Sequence, residues 1–332
     1  MATIKDVAKL AGVSVATVSR VINKSPKASQ ASIASVTQAM KELGYRPNAN
    51  ARALVSQSTN TIGVVVGDVS DPFFGSMLKA IDQIARQNGK QILIGNGYHN
   101  ATTEREAIEL LINSRCESLI IHSKGLSNQE LIDFANEVPG MVVINRFIPE
   151  IAHRCIALDN HKGSYLATEY LIKNGHQHIG YVCSNHDIED TEQRLAGYLD
   201  ALRAYNLPAD DNYIEYSSPD EAGGEHAMMN LLSKNLPITA IAAYNDNMAA
   251  GCLSVLEENG ITPPQDISLI GFDDGIIAKY LSPKLTTVRY PINIMAEQAA
   301  NLSLALAKGD ENKTCTRMFV PTLVRRLSVA QK

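Results

Sequence analysis

Apolar positions in residues 3–45 recur at helical spacing in three short segments. Val7, Ala8 and Ala11 share a face of IKDVAKLA, and Val18, Val21 and Ile22 share a face of VATVSRVIN. Ile33, Val36, Met40 and Leu43 recur in the same way, which predicts a third helix closing a small core. Thr3, Ser14 and Ser29 stand where N-caps belong, with Asp6 three positions after Thr3. Gly12 supplies the turn between the first two helices and Gly44 the stop of the third. Two short helices joined at a glycine turn follow helix-turn-helix grammar.

After the polar stretch SQSTN at 56–60 the pattern changes. Short apolar runs (TIGVVVGDV, KQILIGNGY, ESLIIHS, MVVINR) alternate with helical segments (FFGSMLKAIDQIARQNG, TTEREAIELLINSR). The alternation restarts after Asn160 with GSYLATEYLIKNG, HIGYVCS, RLAGYLDALRAYN, ITAIAAYND, MAAGCLSVLEENG and ISLIGFDD. Two such sets predict two parallel-sheet lobes with right-handed crossovers. Each lobe then carries ligand positions at the carboxyl ends of its strands, with a cleft between lobes.

Length and composition fit this division. A chain of 332 residues, 45% apolar and 20% charged, is long enough for several globular cores. No apolar run approaches the ~20 residues that span a bilayer. The start MATIKDVAKL carries charge where an export signal needs an apolar stretch, so a cytoplasmic protein with no membrane partner is expected. The five cysteines are scattered without a C-x-x-C pair, which points to reduced thiols and to no metal or other cofactor. The net charge of −5 conceals a split. Residues 1–60 hold eight of the 30 basic residues and two of the 35 acidic ones, so a basic head precedes an acidic body. Such a head suits a polyanion, although charge alone fits a partnerless basic surface equally.

In a helix-turn-helix the second helix enters the major groove by its N-terminal residues. Val15, Ala16, Thr17 and Arg20 are then the candidates for base edges. Arg20 suits guanine O6 and N7, and the small apolar pair suits thymine methyls. Thr3, Ser14, Ser19, Asn23, Ser29 and Tyr45 are candidates for DNA-backbone contact, compatible with a capping role for the serines. The segment ANARALVSQ, opened by Asn48, is too short to hold as an isolated helix. It reads either as linker or as a helix ordered on DNA, with exposed Ala51 and Leu54, the latter a minor-groove wedge.

TIKDVAKLAGVSVATVSRVIN and YRPNANARAL strongly resemble the LacI/GalR family of bacterial repressors. VVGDVSDPFF, INR, RLAGY, AYNDNMAAG, GFDD and LTTVRYP continue the likeness across essentially the whole chain. IGNGYHN, PGMVVINR, GHQHIGYVCSNH and PTLVRR resemble the galactose-responsive branch within it. The resemblance implies an all-α helix-turn-helix head on a two-lobed α/β core like periplasmic sugar-binding proteins. It implies a homodimer on palindromic operator DNA, released by a sugar effector, D-galactose. The alternative is a family regulator answering a different small molecule, or one for which the ligand is a corepressor. Expected boundaries are 1–46 for the head, 47–60 for a hinge and 61–332 for the core. The core divides into lobe one, about 61–159 and 289–318, and lobe two, about 160–288 and 319–332.

Candidate effector residues cluster where strands end: Asp71, His122, Asn145, Arg146, Asn245 and Asp273. Phe73 offers a ring face, with core packing the competing reading, strongest for Phe74. The resemblance adds Arg194 and singles out Asn145, Asn245 and Asp273 as polar positions that hold the effector. His122 is as readily a structural histidine, and Asp246 and Asp274 read as a cap and a loop contact. No phosphate loop or nucleophile-and-base set can be placed, so catalysis is not expected. A sugar carrier without a DNA head is excluded by residues 1–58.

Overall fold

Thr3 opens the chain's first helix with a reciprocal box: its hydroxyl accepts from the Asp6 N–H, and Asp6 Oδ2 accepts from the Thr3 N–H at 2.8 Å. Helix α1 (Ile4–Ala11) stops at Gly12, whose φ of 64° returns the chain for α2. Helix α2 (Val15–Ile22) is capped by Ser14 and α3 (Gln30–Glu42) by Ser29. Val7, Ala8, Val18, Val36 and Ala39 are buried together as the core of this unit. Ile33 and Leu43 do not join it, being 39% and 37% exposed. Helices α1 and α2 have eight residues each and α3 has 13, so the short pair covers only the middle turns of the long one. The computed structural model describes residues 2–23, 25–45 and 59–332, and the chain divides into two compact units, 1–59 and 60–332. Asn48, Ala51 and Leu54 lie outside the described residues.

The second unit contains two six-stranded sheets. Strand β1 (Thr61–Val66) leads to α4 (Pro72–Gln87), β2 (Gln91–Asn96), α5 (Ala101–Asn113), β3 (Ser118–Ile121), α6 (Asn128–Glu137), β4 (Met141–Ile144) and β5 (Cys155–Leu158). These strands are parallel, in the order β11-β5-β4-β3-β1-β2, where β11 is Met318–Phe319. The chain then enters the second lobe through α7 (Asn160–Lys173). There follow β6 (Ile179–Ser184), α8 (Glu189–Ala204), β7 (Ile214–Ser217), α9 (Glu221–Ser233), β8 (Ala240–Ala243), α10 (Asp246–Glu258), β9 (Ser268–Asp273) and β10 (Thr286–Arg289). The order here is β12-β10-β9-β8-β6-β7, and only β12 (Thr322–Val324) runs antiparallel to its neighbour. Helix α11 (Ile292–Ala307) goes back to the first lobe, where Ser303 Oγ donates to the Gly140 carbonyl at 3.0 Å. The chain therefore passes between lobes three times: before α7, before α11 and between β11 and β12.

Eight elements had no counterpart in the apolar pattern: α6, β5, β7, α9, β10, α11, β11 and β12. Strand β7 is an edge strand with one polar and one exposed aromatic position, Glu215 and Tyr216, so it lacks the continuous apolar run of a central strand. Strand β5 is fully buried but only four residues long. Helix α9 contains Gly223 and Gly224, which break helical periodicity for a packing reason. A Cβ at Gly224 would lie 2.1 Å from the Met248 carbonyl oxygen, and one at Gly251 would lie 1.9 Å from that of Glu221. Helices α9 and α10 thus meet backbone to backbone.

Gly251→Ala is accordingly expected to destabilise the second unit by about 1–3 kcal/mol through overpacking, outweighing the gain in helix propensity. Denaturant unfolding of the full chain measures it; an unchanged or raised midpoint would show that the contact can relax.

Candidate functional site

The head presents a polar and small-residue surface along the start of α2. Val15 is 42% exposed, and Ala16, Arg20 and Asn23 are also exposed. The Arg20 guanidinium has no hydrogen bond or ion pair among the described residues and is free to donate. Ser14 Oγ accepts from the Thr17 N–H at 3.1 Å and bonds the Thr17 hydroxyl at 2.9 Å. Ser29 does the same for Ser32. Ser19 Oγ accepts from Asn23 Nδ2 at 3.4 Å. Tyr45 packs against the head core. Thr3, exposed, is occupied by Asp6, whose carboxyl is held below its usual range by the Thr3 hydroxyl and backbone hydrogen bonds. Thr3, Ser14 and Ser29 therefore act as caps in this structure, each with an exposed residue position.

The second unit has a cavity between its lobes. It is lined by Asp71, Phe73 and His122 of the first lobe and by Asp190, Arg194 and Asp273 of the second, among others. Parallel strands put all these groups on one side of each sheet. Asp71 caps α4, accepting from the Phe73 N–H at 2.8 Å, and burial raises its carboxyl above the ordinary value. That cap sets Phe73 edge-on to Tyr290, with ring centroids 4.9 Å apart. Phe74 is 5% exposed and meets the His122 ring edge-on at 4.8 Å, so it serves both core and cleft.

Charge organises the floor of the cleft. Arg194 donates from Nε to Asn160 Oδ1 at 2.9 Å and from Nη1 to the Tyr244 carbonyl at 2.7 Å. Its guanidinium lies 3.8 Å over the Phe272 ring, leaving Nη2 toward Asp273 at 3.7 Å. Lys124, from the first lobe, donates to Asp190 of the second at 2.6 Å and to the Asn145 carbonyl. Asn145 Nδ2 donates to the same Asp190 at 2.8 Å. Burial alone would raise the Asp190 carboxyl; Lys124 and Arg194 overcome it and hold it below its ordinary value. The loop carrying Lys124 is fixed by buried Glu104, which accepts from the N–H groups of Lys124, Gly125 and Leu126 and from the Ser123 hydroxyl.

Other groups in the cleft are left with unused capacity. His122 Nδ1, Asn145 Oδ1 and Tyr290 Oη are buried without a hydrogen-bond partner. Asp273 is partly buried, its side chain 20% exposed, with Arg194 as its distant counter-charge, and desolvation pushes its carboxyl well up. Asn145 has φ 61° and Asp273 φ 112°, a left-handed backbone that costs asparagine little and aspartate more. Buried polar groups without partners are expensive, about 1–3 kcal/mol each, and a ligand rich in hydroxyls would relieve them. Asn245 is partly spent: its Oδ1 caps α10 through the Met248 N–H and its Nδ2 donates to the Pro219 carbonyl.

One expected site residue is corrected. Arg146 turns away from this cleft and donates to the carbonyls of Leu126 and Ser123 at 2.7 and 3.4 Å. Arg146 lines instead a neighbouring cavity, which shares Asn145 and Asp190 with this one. Asp71, Phe73, His122, Asn145, Arg194, Asn245 and Asp273 do come together. Asp246 accepts from Thr287 Oγ1 and the Gly275 N–H, and Asp274 pairs with Arg289 and Arg326; both are structural. Sequence reasoning missed Lys124, Asn160, Asp190, Tyr290, His99 and His186. The two histidines sit just past apolar strands, in GYHN and CSNH, and that position was a usable signal. Asn160 and Asp190 lie on first turns of helices, where an acid or amide reads as a cap.

Comparison with known proteins places both units. The lacI family of bacterial regulatory proteins matches residues 3–48, and a periplasmic binding protein-like domain matches residues 168–329. The HTH-type transcriptional regulator GalR of Escherichia coli is 57% identical over 99% of this chain and 96% of its own length. GalS of Salmonella typhimurium is 56% identical over 99% and 97%. Among solved structures, the lac repressor dimer bound to operator and the anti-inducer ONPF superposes with a TM-score of 0.86 at 26% identity, covering 99% of each chain. The regulator CelR in complex with cellobiose gives 0.70 at 28% identity, covering 99% of this chain and 100% of that one. The chain belongs to the lacI family of bacterial regulatory proteins, and its head and core are the two parts of a transcription regulator.

Proposed function

We propose that this chain represses genes of galactose uptake and breakdown, and that D-galactose in the interlobe cleft releases it from its operator. The observation that carries the reading is the full-length identity with the GalR and GalS regulators, joined to a cleft of matching chemistry. A pyranose presents hydroxyls that donate and accept, with an apolar ring face. His122, Asn145, Arg194 and Asp273 supply complementary polar groups, Asp71 and Asn245 flank them, and Phe73 supplies a ring face. Residues 1–46 are the DNA-binding domain, 47–60 the hinge and 61–332 the effector core, working in the cytoplasm as a homodimer. Among the described residues, no helix is long and apolar enough to cross a membrane. Two heads matched to a palindromic operator need a two-fold pair. Exposed Leu93 and Ile94 on edge strand β2, with Leu110 nearby on α5, offer apolar surface for it.

On DNA, Val15, Ala16, Thr17 and Arg20 read bases, and Thr3, Ser14, Ser19, Asn23, Ser29, Tyr45 and Asn48 orient the head on the backbone. Ala51 and Leu54 pair the hinges at the minor groove. Release follows from unequal affinity: the sugar favours a lobe arrangement that separates the heads, and operator occupancy falls by the same coupling energy.

Arg20→Ala is expected to cost about 1–3 kcal/mol of discrimination between operator and scrambled DNA, with sugar binding intact. Anisotropy titrations on both duplexes, at one salt concentration, check it. Equal loss on both would make Arg20 a phosphate contact instead. In the same assay the wild-type protein should bind a galactose-type palindrome tightly and release it on addition of D-galactose but not D-glucose. Tighter binding with galactose would reverse the sign to corepression, and indifference to galactose would remove the sugar assignment.

A further inference from the structure

One end of the interlobe cleft is made of histidines. His99 follows β2 and His122 follows β3 in the first lobe; His186 follows β6 in the second. All three line the cavity. The His99 ring centroid lies 5.7 Å from that of His122 and 5.5 Å from that of His186. The His99–His186 approach therefore spans the two lobes.

The surroundings show that the His99 ring is held in place. Tyr98 and His99 have φ 51° and 53°, two successive left-handed residues, a conformation uncommon for tyrosine. Gly67 faces the ring so closely that a Cβ there would lie 2.6 Å from His99 Cε1. His99 Nδ1 is buried and has no hydrogen-bond partner. His186 is placed by its backbone N–H, which donates to Ser184 Oγ at 3.1 Å. Close packing fixes this ring beside Phe74 and His122 and leaves one of its nitrogens unused.

We propose that His99 and His186 are effector-contacting residues, one from each lobe, which hold a single hydroxyl of the sugar between their rings. This deepens the reading of the cleft as a monosaccharide site and rests on it. A neutral imidazole has one donor and one acceptor nitrogen, and a hydroxyl can satisfy one of each. A hydroxyl bridging the two rings would join the lobes through the ligand, and it would make the position of that hydroxyl a determinant of specificity.

The pair is kept neutral near pH 7. Burial depresses His99, helped by His186 opposite; Glu104 and Asp190 oppose this and Lys124 reinforces it. Burial also depresses His186, with Asp220 opposing. Asp68 beyond β1 and fully buried His122 complete the ionisable groups facing His99. Because bound sugar needs the neutral form, affinity is retained below the ordinary imidazole value of about 6.5 and is lost only as pH falls through the depressed values of the two histidines. The raised carboxyls of Asp71 and Asp273 also gain protons as pH falls, so the diagnostic quantity is the difference between wild type and histidine variants.

The test is calorimetric titration of the full-length protein with D-galactose at pH 7.5 and 5.5. Wild type is expected to lose affinity at the lower pH, by less than the about tenfold that an undepressed imidazole would give. His99→Asn, which tolerates the left-handed backbone, and His186→Gln should each bind about tenfold more weakly at pH 7.5, one hydrogen bond's worth. Both should lose most of the acid dependence. Variants that keep wild-type affinity at pH 7.5, or keep the full acid loss, would overturn the proposal. Monodeoxy galactoses on the wild-type protein give a readout that needs no variant to fold. One deoxy sugar should bind weakly and without the acid loss, and acid loss retained by every one of them would overturn the proposal. Wild-type protein that binds no galactose at either pH would overturn the sugar reading and this inference with it.

Discussion

The cleft depends on the ion pair between Lys124 and Asp190. Each side chain comes from a different lobe, and both are almost fully enclosed. Removing one partner of such a pair leaves a buried charge and costs about 3–5 kcal/mol, whereas the intact pair contributes little net stability. Its consequence is therefore geometric. Asp190 collects Lys124, Asn145 and Asn160, and Asn160 in turn accepts from Arg194. Arg194 is then fixed over Phe272 with one nitrogen toward Asp273. A single carboxylate thus orients polar groups from both lobes before any ligand arrives.

That arrangement leaves the ligand-facing groups deliberately incomplete. Asp273 has a distant counter-charge, and His122, Asn145 and Tyr290 have unused atoms. In a closed hydrophobic core these would be faults. At the meeting of two lobes they are a source of differential affinity, because a polyhydroxyl ligand satisfies them only where both lobes are within reach. Regulation needs just this inequality between lobe arrangements.

The head is built on local rules. Its caps lie within three residues of the amides they serve, and its turn is one glycine, so chain-local chemistry accounts for it. The exception is the face of α3, where Ile33 and Leu43 follow the period yet remain exposed because α1 and α2 are too short to cover them. In the core, central strands β1, β3, β4, β6, β8 and β9 announced themselves as apolar runs, while the four-residue β5 and β10 did not. Edge strand β7 did not, since one of its sides needs no apolar cover. Helix α9 was hidden by Gly223 and Gly224; Gly223 is crowded by the nearby Ser218 carbonyl, and the reason for Gly224 lies in the Met248 carbonyl of α10, more than 20 residues away in sequence.

The sequence by itself determined the helix-turn-helix head, the two α/β lobes and the family, because caps, turns and apolar periods act over a few residues and the family motifs are contiguous. It also pointed to the residues at strand ends, since parallel strands deliver their carboxyl ends to one side. The tertiary structure decided which of those residues share a pocket. It sent Arg146 to the carbonyls of Ser123 and Leu126, and it brought Lys124, Asn160 and Asp190 together from loops and helix starts. It also set His99 against His186 across the lobes. These pairings join residues 20 to 87 positions apart, and their partners are chosen by lobe packing and by the cost of leaving buried charge unpaired, which no local pattern encodes.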